Sequence, residues 1–190
     1  MINYISVIVT FNRKLLLAEA VQSILQQTLL PQKIVIIDNH STDGTFEYIK
    51  KRFMINNNCI DYIRLDENVG GSAGFYKGIQ EALNYNAEWI GISDDDAIYQ
   101  PDFFEKIFQV VNQNAEIKAF TGSVYLPNGK IQTSHRHRVI DSDTLKQKEV
   151  DKEEYQANFL LDVFTFVGVV LSTKLIKKIG LPEKDYFILV

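Results

Sequence analysis

Four short runs of β-branched and aliphatic residues, each followed by a segment of helical period, occupy residues 5 to 111 and leave few folds open. The first run, Ile5-Ser6-Val7-Ile8-Val9-Thr10, is almost continuously apolar, as strands covered on both faces are. Leu16, Leu17, Ala20, Val21, Ile24 and Leu25 then recur at helical spacing. Pro31 closes that helix, because the residue before a proline is biased away from the helical region. Lys33 to Ile37 forms the second run; Thr42 or Asp43 can cap the helix after it, which carries Phe46, Ile49 and Phe53 on one face. Ile60 to Leu65 alternates apolar and polar, predicting a strand nearer the sheet's margin. It is followed by a glycine-rich stretch and a helix with Phe75, Ile79, Ala82 and Leu83. Trp89 to Ser93 is the fourth run, with Phe103, Phe104, Ile107, Val110 and Val111 on the helix behind it. The alternation predicts an α/β domain with a mainly parallel sheet and right-handed crossovers.

The pattern then changes, predicting a smaller antiparallel part in the second half. Ala119 to Tyr125 and Lys130 to Ser134 read as a hairpin turned at Pro127-Asn128-Gly129. Asp141 to Asn158 is charged and weakly periodic, which predicts a mobile surface segment or a short helix. Val163 to Leu171 reads as a strand interrupted at Gly168, Thr173 to Ile179 as a helix stopped by Gly180, and Tyr186 to Val190 as a last strand.

Composition removes several function classes. A length of 190 residues suits one domain with a sizeable core, and 46% hydrophobic with 23% charged residues is ordinary for a globular protein. A net charge of −4 leaves no electrostatic footprint for nucleic acid. Cys59 is the only cysteine, so the chain cannot form an intrachain disulfide and a reducing compartment is expected. Its asparagine neighbours, Asn56 to Asn58, argue for a structural thiol in a loop. The first residues lack the positive segment of a secretory signal, and Phe159 to Leu171 is too short and too polar to span a bilayer.

The chemistry gathers where strands end. Thr10 to Arg13, Asp38 to Ser41, Asp66 to Gly74 and Asp94 to Asp96 each follow a predicted strand, and a parallel sheet puts all four at its carboxyl edge, where open α/β folds bind ligands. Asp94-Asp95-Asp96 is the sharpest of these signals. Adjacent carboxylates repel, and burying them unpaired raises their pKa values, so a partner cation is expected; hard oxygen ligands suit Mg²⁺ or Mn²⁺. An Asp-rich turn capping the next helix is the plainer account, but capping needs one aspartate and Asp102 lies closer. The stretch Asn68-Val69-Gly70-Gly71-Ser72-Ala73-Gly74 reads equally as an anion cradle at a helix start and as glycines that permit a tight turn. His135 and His137 share one face of a predicted strand, but Arg136 and Arg138 between them favour a solvated or acceptor-facing surface over a metal site. His40 reads as a polar loop residue.

These residues resemble the inverting glycosyltransferases of family 2, which have the GT-A fold, over nearly the whole chain. Ser6 to Arg13 is similar to the family's opening strand and nucleotide-contacting loop, and Ile36 to Thr45 to its second-strand motif, where an acidic or amide residue meets the base. Asp94 to Asp96 stands where the family has its metal-binding DXD motif. Asn68 to Phe75 is similar to a glycine loop of the rhamnosyl- and galactofuranosyltransferase-like branch, and the aspartate triplet followed by Ala97 leans towards galactofuranosyl transfer.

The resemblance implies a nucleotide-diphospho-sugar donor, UDP-galactofuranose or dTDP-rhamnose among the candidates, and a glycan or lipid-linked acceptor. Thr10, Phe11, Asn12, Arg13, Asp38, Asn39, Asn68, Gly70, Gly71, Asp94 and Asp95 would contact the donor, and Asp96 with Asp94 would hold Mn²⁺ or Mg²⁺. Residues 1–114 would form the nucleotide-sugar-binding half, and residues 115–190 the start of an acceptor-binding half. The family's general base follows a strand resembling Tyr186 to Val190 and is therefore expected beyond Val190, which makes the chain a truncated donor-binding part. A role in cell-surface polysaccharide synthesis, a cytoplasmic site and peripheral attachment at the inner membrane face come from the resemblance only. Two other readings stay open: a non-catalytic nucleotide-sugar-binding domain, and a sugar-1-phosphate nucleotidyltransferase, whose glycine-rich signature should follow the first strand where Thr10-Phe11-Asn12 stands.

Overall fold

The computed structural model describes residues 2–55 and 57–186. Its centre is β1 (Tyr4–Thr10), whose seven residues are all buried because helices cover both faces of the sheet. On one side of β1 lie β2 (Lys33–Asp38) and β3 (Ile60–Arg64), and on the other β4 (Trp89–Asp94). All three pairings are parallel, as the strand–helix alternation predicts. The connections are α1 (Lys14–Leu25), α2 (Thr45–Ile49), which runs on into a π-helical turn at Lys50–Met54, and α3 (Gly70–Ala82); α4 (Phe103–Gln113) follows β4.

Beyond β4 the sheet turns antiparallel. β5 (Ala119–Thr121) and β9 (Val169–Ser172) extend it to six strands in the order β3-β2-β1-β4-β9-β5, with β9 antiparallel to both neighbours. A second sheet of three short antiparallel strands contains β6 (Arg136–Asp141), β7 (Lys146–Glu149) and β8 (Val163–Phe164). α5 (Thr173–Ile179) packs behind β9 and ends at Gly180, whose φ of 92° is the left-handed stop expected there.

Period-2 alternation along β1 sorts the core into two layers. Tyr4 and Ile8 join Leu17, Val21, Ile24, Ile36, Phe104 and Phe108 on the face covered by α1 and α4. Ile5, Val7 and Val9 join Val35, Ile37, Phe75, Ile79, Ile92 and Ile176 on the face covered by α3 and α5. Contact between α3 and β1 is unusually close: a Cβ on Gly78 would stand 2.5 Å from Val7 Cγ1, and one on Gly74 2.7 Å from Val9 Cγ1. Glycine at these two helical positions is therefore a packing requirement, despite its cost to the helix.

The second half departs from the sequence expectations in four places. The hairpin at Pro127-Asn128-Gly129 shrinks to a single bridge between Tyr125 and Ile131, and β5 pairs with β9 instead. The single strand expected over Val163 to Leu171 is broken by Gly168 (φ 65°) into β8 and β9, which belong to different sheets. Within Asp141 to Asn158, Lys146–Glu149 is a strand and Lys152–Gln156 a 3₁₀ turn. His135 and His137 are likewise separated in kind: the first closes a 3₁₀ turn and the second lies in β6. The strand expected at Tyr186 to Val190 falls, after Tyr186, outside the described residues.

Arg136 joins the two sheets. It is 1% exposed, and its guanidinium donates to the carbonyl of Gly122 (2.8 and 3.2 Å) after β5 and to that of Val167 (2.7 Å) before β9. Burial lowers its pKa to about 10, so it stays charged. No carboxylate pairs with it among the described residues, and carbonyl dipoles carry the whole of its compensation.

Candidate functional site

The sheet order fixes where a ligand can sit. Chain growth runs outward from β1 to β2 and β3, then resumes on the opposite side of β1 with β4, so the carboxyl ends of β1 and β4 diverge into a crevice. Val9 and Asp94 are register partners at that edge. The Thr10–Arg13 loop and the three aspartates therefore face each other across it.

The three aspartates have three different environments, because successive side chains leaving a strand alternate in direction. Asp95 turns inward and is 0% exposed. Its Oδ2 accepts the Thr10 hydroxyl at 2.6 Å and its Oδ1 faces Arg13 Nη1 at 3.3 Å. Burial raises its pKa, and the Thr10 and Arg13 contacts oppose that rise. Asp96 points outward, 53% exposed, with Arg13 Nη1 at 3.5 Å. Asp94 is half-buried, and no donor among the described residues reaches its carboxylate. Burial, then the charges of Asp96 and Asp95, push its pKa up to about 6.

Asp95 is thus a latch between the first and fourth strand ends. Asp95→Ala is expected to cost about 2 kcal/mol in urea unfolding, since it leaves the buried Thr10 hydroxyl without its acceptor and Arg13 without its buried partner. Asp95→Asn should lose clearly less.

Residues that sequence reading passes over hold the turn after the aspartates. Ser23 and Gln27 lie on the buried face of α1 and just past its end, 7% and 5% exposed. Ser23 Oγ accepts the Tyr99 amide at 3.2 Å. Gln27 donates to Gln100 O at 2.7 Å and accepts the Phe104 amide at 3.3 Å. Residues 99–104 are thereby clamped to α1. A polar residue on the apolar face of a predicted helix was the available signal.

On the other side of β1 the loops interlock. Asn12 and His40 both adopt positive φ, 55° and 67°, uncommon for residues other than glycine. Asn12 donates its amide to Ser41 Oγ (2.8 Å) and accepts the Thr42 amide (2.7 Å), while His40 Nδ1 meets Leu65 O at 3.1 Å. Asp43 does not cap α2 itself; it accepts the Thr45 amide at 3.1 Å and the Lys14 amide at 3.3 Å, tying α1 to this loop.

Several residues expected to touch the donor lie beneath the surface. Asp38 is 0% exposed, and its carboxylate accepts the Ser41 amide at 2.8 Å and the Tyr62 hydroxyl at 2.6 Å, with Arg64 at 3.9 Å. Asn39 is also 0% exposed; it donates to Gly70 O at 3.2 Å, and its side-chain oxygen has no partner among the described residues. Gly70 and Gly71 form the buried first turn of α3 rather than an open loop, and the Gly70 amide is taken by Asn68 Oδ1 at 2.9 Å. Phe11 and Asn68 are half-buried, whereas Asn12 is exposed at the edge.

Sequence comparison decides the family. The signature of glycosyl transferase family 2 matches residues 6–178, nearly the whole chain. The chain belongs to glycosyl transferase family 2. Among its relatives, galactofuranosyltransferase GlfT1 of Mycolicibacterium smegmatis is 30% identical over 91 residues, 48% of this chain and 29% of GlfT1. The fold agrees with solved structures. Mannosyltransferase PcManGT from Pyrobaculum calidifontis, solved in complex with GDP-Man and Mn²⁺, superposes with a TM-score of 0.67 at 16% identity over 96% of this chain. The 1–349 fragment of S. aureus TarS in complex with UDP-GlcNAc superposes with a TM-score of 0.66 at 13% identity over 93% of it. The chain spans 29% of the length of GlfT1 and 48% and 47% of those two structures. These likenesses establish the mixed α/β sheet as the GT-A arrangement of family 2.

Proposed function

We propose that this chain is the donor-binding part of an inverting, metal-assisted glycosyltransferase that takes a nucleotide-diphospho-sugar. One observation carries the reading: Asp94 and Asp96 bring two carboxylates without a strong protein partner to the crevice where the sheet order reverses. Their chemistry fits a hard divalent cation. Asp94 is half-buried beside two further carboxylates, and among the described residues Arg13 is the only lysine or arginine that pairs with any of the three. No three His, Cys, Asp or Glu side chains converge as a complete metal cage among the described residues. That suits Mg²⁺ or Mn²⁺, which are commonly held by one or two carboxylates with water and substrate phosphates completing the shell.

Asp94 and Asp96 would hold the ion, and the ion would supply charge neutralisation for the departing diphosphate. The protein's own residues do the rest of the placing. Asp95 and Thr10 fix the crevice walls, and Arg13 offers a guanidinium to an anionic donor. Residues 115–190 would contribute to the acceptor side. The solved relatives in complex with GDP-Man or UDP-GlcNAc support a nucleotide sugar as the donor class, and the resemblance to GlfT1 supports galactofuranose as the first sugar to try.

Calorimetric titration with UDP, GDP and dTDP, each with and without Mn²⁺, tests this. One nucleotide should bind only, or far more tightly, with the metal. Binding of none, or metal-independent binding, would refute the proposal.

The raised pKa of Asp94 adds a pH prediction. The folded metal-free protein holds this proton up to about pH 6, whereas the unfolded chain releases it near the ordinary value of 3.8. Lowering the pH from 7.5 to 5 therefore adds stability through this group. Relative to Asp94→Asn, the metal-free wild type should gain about 3 °C in midpoint on that change. Protons and metal compete for Asp94, so Mn²⁺ affinity should weaken as the pH falls through 6.

A further inference from the structure

Arg13 stands where the proposed metal would act, and one of its nitrogens does two jobs. Nη1 lies 3.3 Å from Asp95 Oδ1 and 3.5 Å from Asp96 Oδ2, while Nη2 and Nε have no acceptor among the described residues. The two contacts differ in setting. Asp95 is fully buried, so its attraction to the guanidinium is screened little; Asp96 is 53% exposed, so its share is weak. Arg13 itself is 37% exposed on the loop between β1 and α1, with room to move at its outer end.

We infer that Arg13 is a resident counter-cation which a divalent ion displaces from Asp96, the guanidinium pivoting about Asp95 to present its free N–H groups to the diphosphate of the donor. This rests on the reading of Asp94 and Asp96 as the metal-holding pair. The guanidinium is cationic, so a metal on the Asp96 carboxylate repels it, and its 3.5 Å contact with Oδ2 is the one that yields. Asp95 keeps it in the crevice when it does. The planar fork has donors on two edges, which lets one edge stay on a carboxylate while the other meets a phosphate. Asp95 is then a positioning residue, holding Arg13 in both arrangements.

The test uses the full chain with Mn²⁺ alone, then inorganic pyrophosphate as a base-independent probe. Free Mn²⁺ counted by electron paramagnetic resonance should show Arg13→Gln binding the ion about fivefold tighter than wild type, because its competitor is gone. Arg13→Lys keeps the charge and should bind Mn²⁺ within twofold of wild type. In the presence of Mn²⁺ both variants should bind pyrophosphate about tenfold more weakly, since neither has the fork. Arg13→Gln binding Mn²⁺ no tighter than wild type, or Arg13→Lys matching wild type on pyrophosphate, overturns the inference. In wild type, the Nε–H resonance of Arg13 should shift on adding Mg²⁺; a resonance that stays put overturns it without any variant. Mn²⁺ binding that is equal in wild type and Asp96→Ala would show instead that the metal reading itself has failed. Asp96-dependent binding with no response from Arg13 would fault only the exchange.

Discussion

Asp96→Ala should abolish the gain in nucleotide affinity that Mn²⁺ provides, while leaving the fold intact. Asp96 is 53% exposed and its one polar side-chain contact among the described residues is the 3.5 Å approach of Arg13, so its removal costs little stability. If Asp96 is a direct ligand as proposed, its loss should weaken Mn²⁺ binding by about a hundredfold or more, beyond the ten- to hundredfold typical of residues that only orient a ligand. The contrast with its neighbour is the sharper part of the test. Asp95 should show the opposite profile, a loss of stability ahead of any loss of metal, because its carboxylate is spent on Thr10 and Arg13. Titration of both alanine variants with Mn²⁺, followed by urea unfolding of each, separates the two roles. A stable Asp96→Ala protein with undiminished Mn²⁺-assisted binding would remove Asp96 from the site.

The second large effect is expected far from any ligand. Gly78→Val should destabilise the protein by about 4 kcal/mol or leave it unable to fold. Its Cβ alone would sit 2.5 Å from Val7 Cγ1 and 3.1 Å from Ile37 Cγ1, and both neighbours belong to strands buried on two faces that cannot retreat. Valine adds two further methyl groups at that contact. Gly129→Val, where a Cβ meets nothing within 4 Å, should cost much less even though its φ of 78° strains any side chain. Unfolding midpoints of the two variants measure the difference. Equal losses would show that backbone conformation, and not the α3–β1 approach, decides the need for glycine.

The parallel part of the fold is legible because its signal is redundant. Each of β1, β2 and β4 is a run of apolar residues covered on both faces, and each is followed by a helix whose apolar stripe matches the layer it covers. β5 to β8 are two to six residues long, partly or wholly exposed, and set by contacts that leave no period in the sequence. Arg136 is the clearest case: a basic residue in a basic stretch reads as solvated, yet it is among the largest fully buried side chains. At the site, Asp94 to Asp96 stand out because carboxylates end an apolar strand. That the middle one turns inward depends on Thr10 and Arg13 lying across the crevice, which pairing of β1 with β4 alone decides. At Gly70 to Gly74 two readings stand side by side for the reverse reason. A glycine that lets a phosphate approach and one that lets a helix approach are the same residue; at Gly74 it is the neighbouring Val9 and Asn39 that require it.

The junction of β5 with β9 has a consequence for how such a chain can diversify. Thr121 and Val169 are register partners, and the Gly122 amide donates to Gly168 O at 3.2 Å, so residues 122–168 leave the main sheet and return to it at one point. Closing a longer or shorter excursion between two stapled ends costs only a logarithmic entropy. The segment, with the whole of the second sheet inside it, therefore behaves as a cassette. Arg136 and the Gly122 and Val167 carbonyls that receive it all lie within this segment, so the buried cation and its acceptors travel together when the segment is lengthened, trimmed or exchanged. Recombination at this neck is a direct route to a different second sheet beside an unchanged set of parallel strands.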